Sequence, residues 1–181
     1  MLLAVVLSSI ISSQANPLLT DTNVPALLCK TPILLIDDAY DNRIYAALID
    51  AIQYWNSVVG RKILYSLDDL TFEEVQMIVS VTEDTNKEVP RCGVCNSHVD
   101  LTTGCIVRAD IQISTKCLGQ FTSIADNERL ITIMRHELGH LLGLGHTDVE
   151  TDLMHPNAWP LKNPASASLE AIQLIKSYYN P

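Results

Sequence analysis

The sequence predicts an α+β fold in one domain, and three observations carry that prediction. Apolar residues recur at helical spacing in three separate stretches. Short apolar or alternating runs with strand character lie before and between them. The resulting order is strand, helix, strands, helix, loop, helix. The 181 residues suit a single domain with a proper core. A hydrophobic content of 48% with 18% charged residues is that of an ordinary globular chain.

Taken in order, "MLLAVVLSSIISSQA" (1–15) is apolar from Leu2 to Ile11 and then small and polar. Ser13 and Ala15 fit the small-x-small rule for signal-peptide cleavage. The run is shorter than the roughly 20 residues that span a bilayer. The expectation is a signal peptide over 1–15, hence a secreted protein. Residues 16–30 read as an N-terminal segment with room for a short pro-peptide, and 31–181 as the domain proper. "PILLID" (32–37) reads as a buried strand. Asp41 is placed to cap a helix in which Ile44, Ala47, Leu48, Ala51, Ile52, Trp55 and Val59 share one side, and Gly60 ends it. "KILYSL" (62–67) and "VQMIVSVT" (75–82) read as strands. The polar stretch 83–104, with Pro90, Gly93 and Gly104, reads as a long loop. "CIVRADIQIS" (105–114) alternates from Ile106 and reads as a strand with one wet face. A helix follows from about Ser123 to Leu142. The last helix, 168–179, has Leu169, Ile172, Ile175 and Tyr179 on one side.

Charge and cysteine content narrow the partners. The net charge is −9, and all of it lies in the chain after Ala15. An acidic body argues against nucleic acid and anionic membranes as partners. The five cysteines (Cys29, Cys92, Cys95, Cys105, Cys117) suggest, in an exported chain, disulfides with one thiol left over. A four-cysteine zinc site from Cys92, Cys95, Cys105 and Cys117 is the competing use, which a secretory route disfavours.

The chemistry concentrates in "MRHELGHLLGLGHTDVETDLMHP" (134–156), which holds four of the five histidines. His136 and His140 are four apart, so a helix presents them on one face, one turn apart, with Glu137 close to that face. Leu130, Ile131, Met134, Leu138 and Leu141 fall roughly opposite, so the helix can bury its leucine side and show its histidines to a cleft. On a continued helix His146 would lie roughly 9 Å further along the axis. It can join the pair only if the chain stops and turns back. Gly143 sits where a left-handed residue would end the helix, and Gly145 adds further freedom. Three protein ligands leave a fourth position open, which is the catalytic zinc arrangement rather than the closed structural one. A bare His-Glu-x-x-His is often a polar helix face. The longer pattern arises by chance in such a chain on the order of 1 in 100,000 times at average residue usage, and this decides for a metal.

"HELGHLLGLGH" followed by "DLMHP" resembles the metzincin zinc endopeptidases, and among them the matrixin (matrix metalloproteinase-like) branch. His146, Met154 and Pro156 keep that branch's spacing from third histidine to methionine to proline. The resemblance implies a metzincin-like zinc protease domain: a twisted mixed sheet, an active-site helix and a C-terminal helix. It implies one catalytic Zn2+ held by His136, His140 and His146, Glu137 as general base, and Met154 as a hydrophobic floor under the metal. It leaves Ca2+ as a possible further metal that the sequence does not decide. His155 is not expected to ligate, and no tyrosine ligand is expected either, because Pro156 stands where astacins place one. The family's second, three-histidine zinc site is expected to be absent, since only His98 lies outside the motif. Of the paired aspartates near the last helix at best Glu170 remains, and Trp159 is the candidate to replace a missing pocket-wall tyrosine. "PRCGVC" (90–95) resembles the branch's cysteine switch but lies only 44 residues before His136, so its cysteines are read as structural.

The expected activity is hydrolysis of protein or peptide substrates by a monomer, with 106–113 as the candidate edge strand aligning an extended substrate. A catalytically silent zinc-bearing binding or toxin-like module is the alternative, and Glu137 argues against it because binding zinc does not need that residue. For latency, Asp21 through a carboxylate and Cys29 through a thiolate are the candidate occupants of zinc's open position. The competing expectation is an inert tail with Cys29 in a disulfide.

Overall fold

The computed structural model describes residues 27–30, 32–36, 42–66, 69, 77–83, 92–114, 123–158 and 165–179. In chain order these give β1 (Pro32–Ile36), α1 (Asn42–Val59), β2 (Tyr65–Ser66), β3 (Met77–Glu83), β4 (Gly93–Val99), β5 (Ile106–Ile113), α2 (Ile124–Leu141) and α3 (Leu169–Tyr179). The strands form one sheet in the order β2-β1-β3-β5-β4. β1 pairs in parallel with β2 and β3, and β3 in parallel with β5. β4 closes the sheet antiparallel to β5. The sheet is therefore mixed, and the expected α+β class holds.

The helices form where the apolar periodicity places them. All seven predicted inward residues of α1, from Ile44 to Val59, are buried, and Trp55 is completely so. Gly60 ends the helix at φ +84°. α2 opens on a capping box in which the Ser123 hydroxyl accepts from the Asp126 N–H while the Asp126 carboxylate accepts from the Ser123 N–H. Its Leu130, Met134, Leu138 and Leu141 are buried against α1 and the sheet.

The sheet corrects three expectations. The stretch read as a loop over 83–104 contains β4, whose residues pair with β5 from Gly93–Ile113 to His98–Arg108. Its apolar residues do not alternate through the strand, and its order comes from a partner strand rather than from local pattern. The connecting turn is built by Asp100, whose Oδ1 accepts from the Thr102 N–H at 2.9 Å and whose carbonyl accepts from the Gly104 N–H at 2.8 Å. The second correction follows from the first. The segment 106–113 is not an edge strand, because β4 covers its outer side and is itself the edge among the described residues. Third, among the described residues of "KILYSL" only Tyr65–Ser66 pairs as a strand. The Asn56 side chain occupies the preceding backbone: its Oδ1 accepts from the Ile63 and Leu64 N–H groups, and its Nδ2 donates to the Leu64 carbonyl.

The segment before β1 is tied down. Cys29 and Cys105 form a disulfide. The Leu27 N–H donates to the Gly104 carbonyl, and the Ile106 N–H donates to the Leu27 carbonyl. The Leu28 N–H donates to the Tyr179 hydroxyl at 2.9 Å, and that hydroxyl donates to the Leu142 carbonyl at 3.2 Å. One phenol thus joins this segment, α3 and the end of α2. No helix among the described residues is long and apolar enough to cross a membrane.

Candidate functional site

The site is built around the C-terminal end of α2. Gly143, at φ +94°, stops the helix. Its N–H donates to the His140 carbonyl, and the Leu144 N–H reaches back to the Gly139 carbonyl. These two bonds form a Schellman motif, which satisfies the last carbonyls while reversing the chain. Of the two glycines expected to aid the turn, only Gly143 takes a left-handed conformation. The reversal returns His146 to the helix face. The three Nε2 atoms of His136, His140 and His146 lie 3.0–3.2 Å apart.

Hydrogen bonds fix what these nitrogens can do. The Nδ1 of His136 lies 2.7 Å from the Leu153 carbonyl, and the Nδ1 of His140 lies 2.7 Å from the Leu144 carbonyl. A carbonyl only accepts, so each Nδ1 carries the proton and each Nε2 presents a bare lone pair. Burial, followed by the charge of His140, lowers the His136 pKa to about 3. Burial lowers that of His140 to about 4, and also lowers that of His146. Neutral lone pairs aimed at one another at 3.0 Å repel unless a cation lies among them. Tetrahedral zinc at 2.0–2.1 Å would space its ligands at about 3.3–3.4 Å. The donor set and the spacing therefore fit Zn2+, with both ring orientations held by backbone carbonyls. This is the one group of His, Cys, Asp and Glu donors among the described residues that could hold a metal. His155 is not part of it, as expected.

Glu137 faces the same cleft, which encloses about 550 Å³ between β4, α2 and the segment 156–158. Its side chain is buried, which pushes its carboxyl up to about 8, while a hydrogen bond from the Cys95 N–H pulls the other way. A cation at the three histidines would also favour the charged form.

Met154 lies beneath the helix and is completely buried. A Cβ on Gly139 would stand 2.5 Å from Met154 Sδ and 3.0 Å from Trp55 Cζ2. Gly139 is thus where helix, methionine and indole close on one another. The Trp55 indole N–H donates to the Arg135 carbonyl at 2.8 Å, in the turn that carries His136. The Arg135 guanidinium pairs with Asp50 and lies over the Tyr54 ring, 4.4 Å from its centroid.

Two features of the site escaped the sequence reading. Asp152 is buried, and its carboxylate accepts from the Met154 N–H at 2.6 Å and the Ser168 N–H at 2.9 Å. It shapes the methionine turn and ties it to the start of α3. The signal was present: an aspartate two residues before a turn residue is an Asx-turn pattern. The other feature is the contact of β4 with Glu137. No local pattern announces it, because β4 itself was read as a loop.

The cysteines follow the disulfide reading, which removes the two competing uses. Cys29 is bonded to Cys105, so it has no thiolate to place on a metal. Cys92 is also disulfide-bonded, so a four-cysteine zinc site does not exist. Cys95 is the free thiol among the described residues, and burial pushes its pKa up to about 12. Asp21, Cys117, Asp41 and Trp159 lie outside the described residues.

Comparison with known proteins agrees with this geometry. The chain is 29% identical over 143 residues to metalloendoproteinase 1-MMP of Arabidopsis thaliana, covering 72% of this chain and 36% of that protein. It thus spans about a third of that relative's length. Its fold is similar to that of an archaemetzincin from Methanopyrus kandleri, with TM-score 0.57, 14% identity, and coverage of 84% of this chain and 96% of that one. It is also similar in fold to high choriolytic enzyme 1, a hatching-enzyme zinc-protease of the medaka Oryzias latipes, with TM-score 0.51, 16% identity, and coverage of 86% and 94%. The family model for matrixins matches residues 37–180, four-fifths of the sequence, and the chain belongs to the matrixin family.

Proposed function

We propose that the protein is a secreted zinc endopeptidase in which His136, His140 and His146 hold the metal and Glu137 is the general base. The observation that carries this reading is the convergence of three imidazole nitrogens beside a buried carboxylate in one cleft. When bound, zinc lowers the pKa of water toward about 7 and polarises a carbonyl. The chain's own part is proton transfer and positioning. Glu137 takes a proton from the attacking water and passes it to the leaving amine, a task suited to a carboxylate whose environment opposes its charge. Met154 forms an apolar floor that excludes water below the histidines. β4, as the free edge, replaces 106–113 as the strand along which an extended peptide pairs.

The finer assignments belong to the same proposal. Residues 1–15 are the signal peptide, 16–30 a short N-terminal segment and 31–181 the catalytic domain. The protein acts as a monomer on protein or peptide substrates, without nucleic acid or membrane partners, in keeping with its net charge of −9. A supplementary Ca2+ is left to metal analysis. Latency, if present, falls to Asp21, since Cys29 is paired. Leu27 is fixed beside Gly104 and Ile106, and Asp21 lies six residues earlier. Six extended residues cover about 20 Å. The β5 residue opposite Cys95 is Ile111, about 17 Å from Ile106 along the strand. Asp21 therefore reaches the cleft only on a nearly straight path.

The test is incubation of the purified protein, from Asn16 onward, with a diverse peptide library with and without chelator. Chelator-sensitive cleavage within peptides is the expected result. Zinc at full occupancy with no cleavage would favour a silent zinc-bearing binding module.

A further inference from the structure

We infer that the edge strand β4 holds the general base in position, and that Gly93 is a positioning residue whose missing side chain is the space Glu137 occupies. The inference rests on the assignment of Glu137 as general base. A Cβ built on Gly93 would meet Glu137 Cγ and Ile133 Cγ2 at 2.8 Å each, and Glu137 Oε1 closer still. A methyl group there cannot be accommodated by turning only the end of the glutamate, because Cγ is also in the way. Something must move: the strand, the isoleucine or the whole Glu137 side chain.

The surroundings decide which. Cys92, just before Gly93, is disulfide-bonded, and its carbonyl accepts from the Ser114 N–H at 2.9 Å. The strand then pairs continuously with β5 as far as His98. Ile133 lies on the interior side of α2 and is buried. Both side chains line the cleft, but the β-branched isoleucine is stiff at χ1 while the unbranched glutamate can turn into the open space. The glutamate is therefore the group that yields.

The register adds a second constraint. With Cys92 bonded to Ser114, the antiparallel ladder turns Val94, Asn96 and His98 toward β5, and turns the backbone groups of Gly93, Cys95 and Ser97 outward. The Cys95 backbone lies on the Glu137 side of the strand and favours the charged form of its carboxylate. Gly93 provides the room and the backbone of Cys95 lies beside the carboxylate, so one strand limits where the carboxylate can stand relative to the histidines. The outward groups of Gly93 and Ser97 stay free of this contact for pairing with a peptide. An alanine at position 93 would keep its own backbone groups, so its effect separates base positioning from substrate alignment.

A double-mutant cycle tests this on the zinc-loaded protein, with Gly93→Ala, Glu137→Asp and the pair. Gly93→Ala is expected to lower kcat about 100-fold, with zinc content unchanged and KM within about threefold. Glu137→Asp shortens the side chain by one methylene and withdraws it from Gly93. In that background Gly93→Ala is expected to cost less than about tenfold. Equal fold-losses in the two backgrounds, or an unchanged kcat in Gly93→Ala, would overturn the inference. Should Gly93→Ala not fold, the comparison is made in an Ile133→Ala background, which removes the competing contact, and the same kcat loss is expected there. Glu137→Gln separates the two claims. If it keeps full activity, the assignment of the base is wrong. If it is inactive while Gly93→Ala is unimpaired, only the positioning claim fails.

Discussion

On one side of the cleft stands α2 with its glycine turn and the methionine segment, and on the other stands β4. The helical side is assembled from neighbours in sequence. Its ligands come from two turns of helix and one reversal, and their rings are oriented by carbonyls of Leu144 and Leu153, both within the next 17 residues. The strand side is assembled from a distance. β4 owes its place to β5, to the Cys92 disulfide and to Glu137, more than 40 residues away. On the reading proposed here, one side binds the metal and the other aims the base. A zinc site can therefore survive damage that silences proton transfer, and the two functions should separate experimentally.

The largest effect is expected on the helical side. His146→Ala leaves two helix ligands and should abolish both stoichiometric zinc binding and cleavage, read by metal analysis and peptide hydrolysis on the same sample. Retention of both would show that the glycine turn does not deliver a ligand. Acid should act on the same side. The pKa values of His136 and His140 are lowered to about 3 and 4 by burial, below the unfolded value near 6.5. As pH falls through 6.5 the unfolded chain takes up protons that the folded chain refuses. Glu137, raised to about 8 by burial, takes up its proton in the folded chain first and offsets part of this, so the zinc-free protein should lose a few kcal/mol of stability between about pH 6.5 and 4. A flat profile in chelator-treated thermal melts would argue that these imidazoles are open to water.

Away from the metal, the Cys29–Cys105 disulfide closes a loop of 76 residues. Loss of that link through Cys29→Ser with Cys105→Ser should cost about 4 kcal/mol in denaturant unfolding while leaving zinc affinity nearly unchanged. A large fall in zinc affinity would mean that the two ends of β5 are coupled. Gly139→Ala should have a smaller effect, about 1–3 kcal/mol, because the new methyl presses on Met154 and Trp55. Unaltered stability would show that the methionine turn is free to retreat.

The same contrast explains what could be read in the sequence. Helical periodicity placed α1, α2 and α3 to within a residue or two, since each has one strongly apolar side. The ligand spacing in 136–146 is local, so the turn at Gly143 and the convergence on one point could be worked out from residue geometry. β4 could not. "GVCNSHV" carries glycine, serine and asparagine, with side chains half-buried or exposed, and only its pairing with Ile106–Ile113 makes it a strand. With β4 read as a loop, β5 took the edge by default, and the contact between Gly93 and Glu137 could not be foreseen. The shortness of β2 has a similar cause, as the Asn56 amide satisfies backbone groups that would otherwise seek a strand. The pairing of Cys29 with Cys105 joins residues 76 apart in sequence and was one of several open combinations.

The division of labour across the cleft, metal on the helical side and proton transfer at Glu137, is tested most directly by one variant. Glu137→Gln keeps the shape of the side chain and leaves all three imidazoles in place, but its amide cannot accept the water's proton. Zinc content and peptide cleavage are measured on the same purified sample beside the unaltered protein. The account predicts one zinc per chain in both, with cleavage reduced by about 100-fold or more in the variant. Undiminished cleavage, or loss of zinc together with activity, would contradict it.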